Sequence, residues 1–145
     1  MVTRSIGQQS SSSIILNNLL ICIVFLIGAL TLCIESCVEG ADIYEVCQKV
    51  DAFIEEELTK TFSNKKSKKL ERGIAFPCCI SVNEICGHFS PLKEDSYKLK
   101  LEDLVKVDLG AHIDGFPASC GHSFVIGGKT KGAQADVLMA AWNAF

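Results

Sequence analysis

The sequence predicts an α/β fold of the α+β kind, an antiparallel hairpin with flanking amphipathic helices, and three observations carry that prediction. Two alternating runs, LVKVDLGAHI and FPASCGHSFVI, flank Asp114-Gly115, a pair that favours a two-residue hairpin turn. Apolar residues recur at helical spacing between Ile43 and Leu58, the mark of a helix with one buried face. The chain has 145 residues, 48% hydrophobic and 21% charged, the size and composition of about one small globular domain. A formal net charge of -3 excludes a globally basic protein, so contact with nucleic acid has to come from a local patch.

From the N-terminus, a Ser-rich stretch leads into the uncharged run Leu19 to Ile34. The run falls short of the roughly 20 residues that span a bilayer and matches a signal-peptide core or short anchor. Val38 and Gly40 are small residues ahead of a cleavage point at Ala41. A buried helix is the plain alternative. Asp42 with Glu45 has the form of a capping box, so a helix is expected to start there. Ile43, Val46, Cys47, Val50, Phe53, Ile54 and Leu58 then form one apolar face.

Lys65, Lys66, Lys68, Lys69 and Arg72 lie close together in SNKKSKKLER. Such a run is either a solvated loop or a phosphate-binding patch that adds affinity without reading sequence. Residues 73 to 84 read as a β segment interrupted at Pro77, which cannot donate a ladder hydrogen bond. His88 follows on a loop between Gly87 and Ser90-Pro91, and residues 92 to 103 form a charged connector. Of the eight cysteines, Cys33, Cys37 and Cys47 sit at apolar positions of helix-like segments, and adjacent Cys78 and Cys79 point to opposite faces of a strand. They read as buried free thiols rather than a disulfide framework.

With Asp114-Gly115 as the turn, Ile113 lies opposite Phe116 and Asp108 opposite Gly121. Directly opposed residues share a face, so Asp108, Gly110, His112, Pro117, Ser119 and Gly121 line one side of the hairpin. Val107, Leu109, Cys120, His122 and Phe124 line the other. The crowd of potential ligands therefore divides: Cys120 and His122 face away from Asp108, and His112 lies about 13 Å along the strand. Ser119 is the diagonal neighbour of Asp108, within roughly 7 to 8 Å. Two acids at these positions would seat a divalent cation pair, but position 119 is a serine, a weak neutral ligand.

GIAFPCCISVNE, GHFSPL, DLVKVDLGAHIDGF, HSFVI and QADV, in this order, resemble the methionine aminopeptidase fold family. The series is most like its proliferation-associated, growth-factor-receptor-binding branch, which has the pita-bread fold without peptidase activity. The resemblance covers roughly residues 28 to 140. It implies an N-terminal half of that fold, divided here as a hydrophobic segment 1–27 (signal-like, anchor-like or a mispredicted exon) and an aminopeptidase-like domain 28–145. It also implies that His88 matches the catalytic histidine, that Asp108 matches the first metal-binding aspartate, and that Ser119 replaces the second. One of five ligands of a two-metal site is then retained, one is replaced by Ser119 and the remaining three, a histidine and two glutamates, lie downstream of Phe145, so no complete cofactor site is expected.

The resemblance further implies a pseudo-peptidase, not an enzyme. It would act in growth regulation as a binding module for RNA, ribonucleoprotein or protein partners, in cytoplasm and nucleus, with Lys65, Lys66, Lys68, Lys69 and Arg72 as RNA-contact candidates. The alternatives are an active metal-dependent methionine aminopeptidase and a membrane-tethered or secreted protein that uses Leu19 to Ile34. The apolar helix that starts at GAQADV stops with about half of the pseudo-symmetric family domain to come, which leads to the expectation of an uncovered apolar sheet face.

Overall fold

A computed structural model describes residues 11–61 and 70–144. Among these, helices α1 (Ser11–Ser36) and α2 (Ile43–Thr61) precede strands β1 (Arg72–Val82), β2 (Leu104–Ile113) and β3 (Phe116–Val125), and α3 (Ala133–Ala144) ends the chain. The strands form an antiparallel sheet in the order β1-β2-β3. The β2–β3 register is the expected one at every pair, from Ile113 opposite Phe116 to Leu104 opposite Val125. Asp114 and Gly115 both have positive φ, 55° and 77°, as a type I′ turn requires, and this turn's twist matches that of the strands it joins.

That register puts Val105, Val107, Leu109, Ala111 and Ile113 on one face, and all five are buried. The helices α1, against β2 and β3, and α2, against β1, both cover this face. The sheet's apolar face is thus covered, contrary to the expectation for a half domain, because the two helices that precede the strands suffice to bury it. Along α1 the buried residues are Asn18, Cys22, Leu26, Ala29 and Cys33, a stripe at helical spacing. The stripe runs unbroken through residues 27 and 28, so residues on both sides of that boundary enter one core. The outer side of α1 stays apolar and exposed at Leu16, Leu20, Ile23, Val24 and Ile27.

The second helix buries Ile43, Val46, Cys47, Val50, Ile54 and Leu58, with Phe53 packed beside them. Its cap is Asp42, whose Oδ1 accepts the Tyr44 N–H at 3.1 Å. The Ser96 hydroxyl also donates to that oxygen. This bond first, and the backbone bonds after it, lower the Asp42 pKa, because they favour the charged form. Residues 92 to 103, a charged connector by sequence, turn out to be anchored. Gly40 N–H donates to Leu99 O at 2.7 Å, Leu99 N–H to Ala41 O at 2.9 Å and Ile43 N–H to Tyr97 O at 3.0 Å, with Leu99 itself 1% exposed.

The break expected at Pro77 is present as register shifts between Ile74 and Phe76 and between Phe76 and Cys79. The bulge frees the Cys78 N–H from the ladder, and the Asp51 carboxylate of α2 accepts it at 2.9 Å. Burial is the first cause of a raised Asp51 pKa and outweighs that hydrogen bond. A raised folded pKa penalises the ionised form at neutral pH, and the penalty fades as pH falls through the folded value toward the ordinary carboxylate range.

Two substitutions separate these effects. Asp51→Asn keeps an acceptor and removes the buried charge, so its unfolding free energy in urea at pH 7 equals or exceeds that of the wild type. Asp51→Ala leaves the Cys78 N–H without a partner and lowers stability by about 1–3 kcal/mol.

Candidate functional site

The face of the sheet away from α1 and α2 carries Lys106, Asp108, Gly110 and His112 on β2, with Ser119 and Gly121 across on β3. Alternation alone puts them there, since each lies between two residues of the buried set. Asp108 is half-buried at the middle of the central strand, opposite Cys79 on one side and Gly121 on the other. Ser119 pairs with Gly110 and is therefore the diagonal neighbour of Asp108, as the sequence implied. Its side chain is exposed.

The glycines in this face have a steric reason. A β-carbon on Gly110 would fall 2.4 Å from the Phe76 ring, and one on Gly121 would fall 2.9 Å from the Val107 carbonyl oxygen. Phe76 thus lies across Gly110 and fills space beside Asp108 that a side chain at 110 would need. Cys79, directly opposite Asp108, has its pKa raised by burial first and by the Asp108 charge second. The same two causes push Cys120 up to about 11.

The histidines separate as the alternation requires. His112 is on the Asp108 face, its Nδ1 buried without a hydrogen-bond partner and its Nε2 3.6 Å from where a Gly73 β-carbon would stand. His122 stacks on Phe124 with ring centroids 6.1 Å apart, on the opposite side. His88 is exposed on its loop with φ of 60°. Its neighbour Phe89 accepts the Ile80 N–H at 2.8 Å and donates its own N–H to Ser81 Oγ at 3.3 Å. The loop therefore runs beside the free edge of β1, one strand further from Asp108 than Cys79 is.

Among the described residues no three His, Cys, Asp or Glu side chains are disposed to hold a metal ion. Of the basic candidates, Lys65, Lys66, Lys68 and Lys69 lie outside the described residues. Arg72 opens β1 opposite Ile113, and its Nη1 donates to Leu70 O at 3.4 Å.

Sequence reasoning missed the polar cluster that closes the far end of the sheet. Asp103 is 6% exposed and accepts the Asn83 Nδ2 and Lys100 N–H groups, each at 2.8 Å. Lys106 Nζ donates to Asn83 O at 2.7 Å. Its sequence signal was the Asn83-Glu84 turn ahead of β2, which places Asn83 at positive φ. Nothing local identified Asp103 as its partner.

A face with one central carboxylate, set in a sheet backed by two helices, is the framework of a particular peptidase fold. Residues 26–145 match the model of metallopeptidase family M24, and the chain belongs to that family, with the pita-bread architecture. "ERBB-3 BINDING PROTEIN 1" of Arabidopsis thaliana is 48% identical over 117 residues, 80% of this chain and 30% of its own length. "Proliferation-associated protein A" of Dictyostelium discoideum is 50% identical over 115 residues, 77% of this chain and 29% of its own. The solved structure of a thermophilic Arx1 superposes with a TM-score of 0.75 at 24% identity, covering 88% of this chain and 36% of that one. The chain therefore spans about 30% of the length of the curated relatives it matches.

The packing of Phe76 over Gly110 gives a direct test. Gly110→Ala forces the ring aside and lowers stability by about 1–3 kcal/mol. In a Phe76→Ala background the same change costs much less, and a double-mutant cycle in urea measures the difference.

Proposed function

We propose that the chain is a catalytically inactive aminopeptidase-like homologue that works as a binding module, engaging protein partners and RNA or ribonucleoprotein in growth regulation, in cytoplasm and nucleus. The observation that carries this reading is the surroundings of Asp108. The residues opposite it are Cys79 and Gly121, and the diagonal position that would supply a second hard oxygen anion holds Ser119. A two-metal centre needs several carboxylates to offset the charge of its cations and bridge them. One aspartate with a neutral hydroxyl diagonal to it does not fit that requirement, and His88 then has no metal-bound species to serve. The names of the similar proteins support a binding role, one of them being named for binding ErbB-3.

A second reading rests on a specific observation. Ile15–Ser36 is long and apolar enough to cross a membrane, and the outer side of α1 is uncovered apolar surface. Residues 1–27 would then be an anchor-like segment ahead of the domain 28–145. The buried stripe of α1 supports the packed state instead, since insertion would strip Cys22, Leu26, Ala29 and Cys33 from the sheet. Carbonate extraction of membranes from cells that make the tagged chain decides between them: release into the supernatant supports the packed helix.

Two further measurements test the binding-module reading. With Mn²⁺ or Co²⁺ added, the chain removes no N-terminal methionine from a peptide, and calorimetry detects no tight binding of either ion; measurable turnover would overturn the pseudo-peptidase reading. Replacing Lys65, Lys66, Lys68 and Lys69 with Ala weakens binding to single-stranded RNA in a filter assay. The slope of log affinity against log salt becomes shallower by roughly 0.7 for each phosphate that the chain no longer neutralises.

A further inference from the structure

Of the two edges of the sheet, the one on β1 is occupied. The Ile80 N–H is taken by Phe89 O at 2.8 Å and the Cys78 N–H by the Asp51 carboxylate at 2.9 Å. Among the described residues the backbone of β3 from Phe116 to Phe124 pairs only with β2. This open strand, FPASCGHSFV, carries no Lys, Arg, Asp or Glu, the charges that usually keep an edge from pairing. Its helix-facing side is incompletely covered as well. Phe116 is 37% exposed and Ala118, Cys120 and Phe124 are half-buried, whereas the residues opposite them on β2 are buried.

The outward groups of β3 follow from its register. A two-residue turn makes Ile113 and Phe116 a hydrogen-bonded pair, and such pairs alternate along an antiparallel ladder. Phe116, Ala118, Cys120, His122 and Phe124 therefore direct their N–H and C=O groups to β2, and those of Ser119, Gly121 and Ser123 point outward. At the two ends the outward set is partial. Pro117 has no N–H, and the Val125 carbonyl already accepts the Gly128 N–H at 3.0 Å. Gly121 lies midway between these ends.

We propose that this edge is a homodimer interface: β3 pairs antiparallel with β3 of a second copy about a two-fold axis at Gly121, and the α1 helices of the two copies pack side by side over the joined sheet. In this register Gly121 stands opposite the partner's Gly121 and Ser119 opposite the partner's Ser123. Pro117 stands opposite the partner's Val125, where the Val125 N–H meets the Pro117 carbonyl. The missing N–H of Pro117 then faces the Val125 carbonyl that Gly128 has already engaged, so neither group is left wanting a partner.

The helix layer fits the same axis. The helix α1 lies over β2 and β3, and α2 over β1. A β-carbon on Gly28 would lie 3.5 Å from the Phe53 ring of α2, and Ser36 Oγ accepts the Lys49 Nζ of α2 at 2.9 Å, which marks one flank of α1. At 3.6 residues per turn, Leu16, Leu20, Ile23 and Ile27 fall on the flank away from α2, the flank beyond the β3 edge. They follow the four-three-four spacing of a helix-pairing seam and are 42–59% exposed. A helix over the β2–β3 pair stands about one strand spacing, ~4.8 Å, from the axis. Two related helices are then ~10 Å apart, within the range for direct helix packing.

Strand edge and stripe together bury on the order of 1,000 Å² in the pair, the lower bound of a specific interface. A bilayer would cover the stripe, but it offers no N–H or C=O groups to the strand edge. A second copy supplies both surfaces at matching spacing, whatever else the module binds.

Sedimentation equilibrium of the 145-residue chain at micromolar concentration is expected to give twice the mass of 15.7 kDa. Ser123→Pro removes only an outward N–H, which an edge strand tolerates, and Ile23→Glu charges the stripe. Each is expected to weaken the dimer about tenfold or more with the far-UV circular dichroism unchanged. The register has its own test, because Cys120 would face the partner's His122 in a non-hydrogen-bonded pair, where side chains are closest. With Cys86→Ser to remove the exposed thiol, His122→Cys is expected to give a covalent dimer on mild oxidation, linked through the partner's Cys120 in peptide mapping. A monomeric mass, an open series of larger assemblies, a dimer indifferent to Ser123→Pro, or a monomer that floats with phosphatidylcholine vesicles overturns the proposal.

Discussion

Everything on this sheet depends on the two-residue turn at Asp114-Gly115. Both residues have positive φ, the turn admits one pairing of its strands, and the pairing sorts every side chain of β2 and β3. A slip of one residue would move Val105, Val107, Leu109, Ala111 and Ile113 to the outer face and bring Asp108 under the helices. The cost of burying an unpaired carboxylate there and exposing five apolar residues makes the register a property of the whole core.

The two helices use that buried face differently. In α2 the apolar side is complete and the polar side is solvated, as in any helix packed on a sheet. Between Leu19 and Ile34 the helix α1 is apolar nearly all round, and the sheet covers only one of its sides, through Cys22, Leu26, Ala29 and Cys33. Small side chains at Cys22, Ala29 and Cys33 allow close approach, and Cys120 Sγ donates to the Leu26 carbonyl at 3.5 Å. The seat of α1 therefore carries sulfur from both sides, Cys22 and Cys33 on the helix and Cys120 on β3.

On the opposite face Asp108 stands at the centre of a closely packed sheet, opposite Cys79 and Gly121. The strands, bulge and glycines that present the aspartate are in place: Phe76 lies over Gly110, and Gly121 lets β3 pass close to the Val107 carbonyl. Those features serve the packing of the sheet whether or not a metal is held, so they persist on structural grounds alone. The binding-module reading depends on this separation between a scaffold that packs and a site that needs several anions to work.

The hairpin, its register, the capped start of α2 at Asp42 and the break at Pro77 were legible in the sequence, because each is written in residues adjacent along the chain: a turn dipeptide, a cap, a residue that lacks an N–H. Family membership was legible for the same reason, through short motifs in order. The covering of the apolar face by α1 and α2, the anchoring of Leu99 to Ala41, the Asn83–Asp103 cluster and the burial of Cys33, Cys47 and Cys78 in one core were not. Each joins residues far apart in the chain whose local patterns are ordinary, and only the packing of helices on a sheet brings them within reach. The run Leu19 to Ile34 within α1 shows this most clearly, since a stretch that is apolar nearly all round carries little sequence signal for which side it buries, and that choice belongs to the surface it meets.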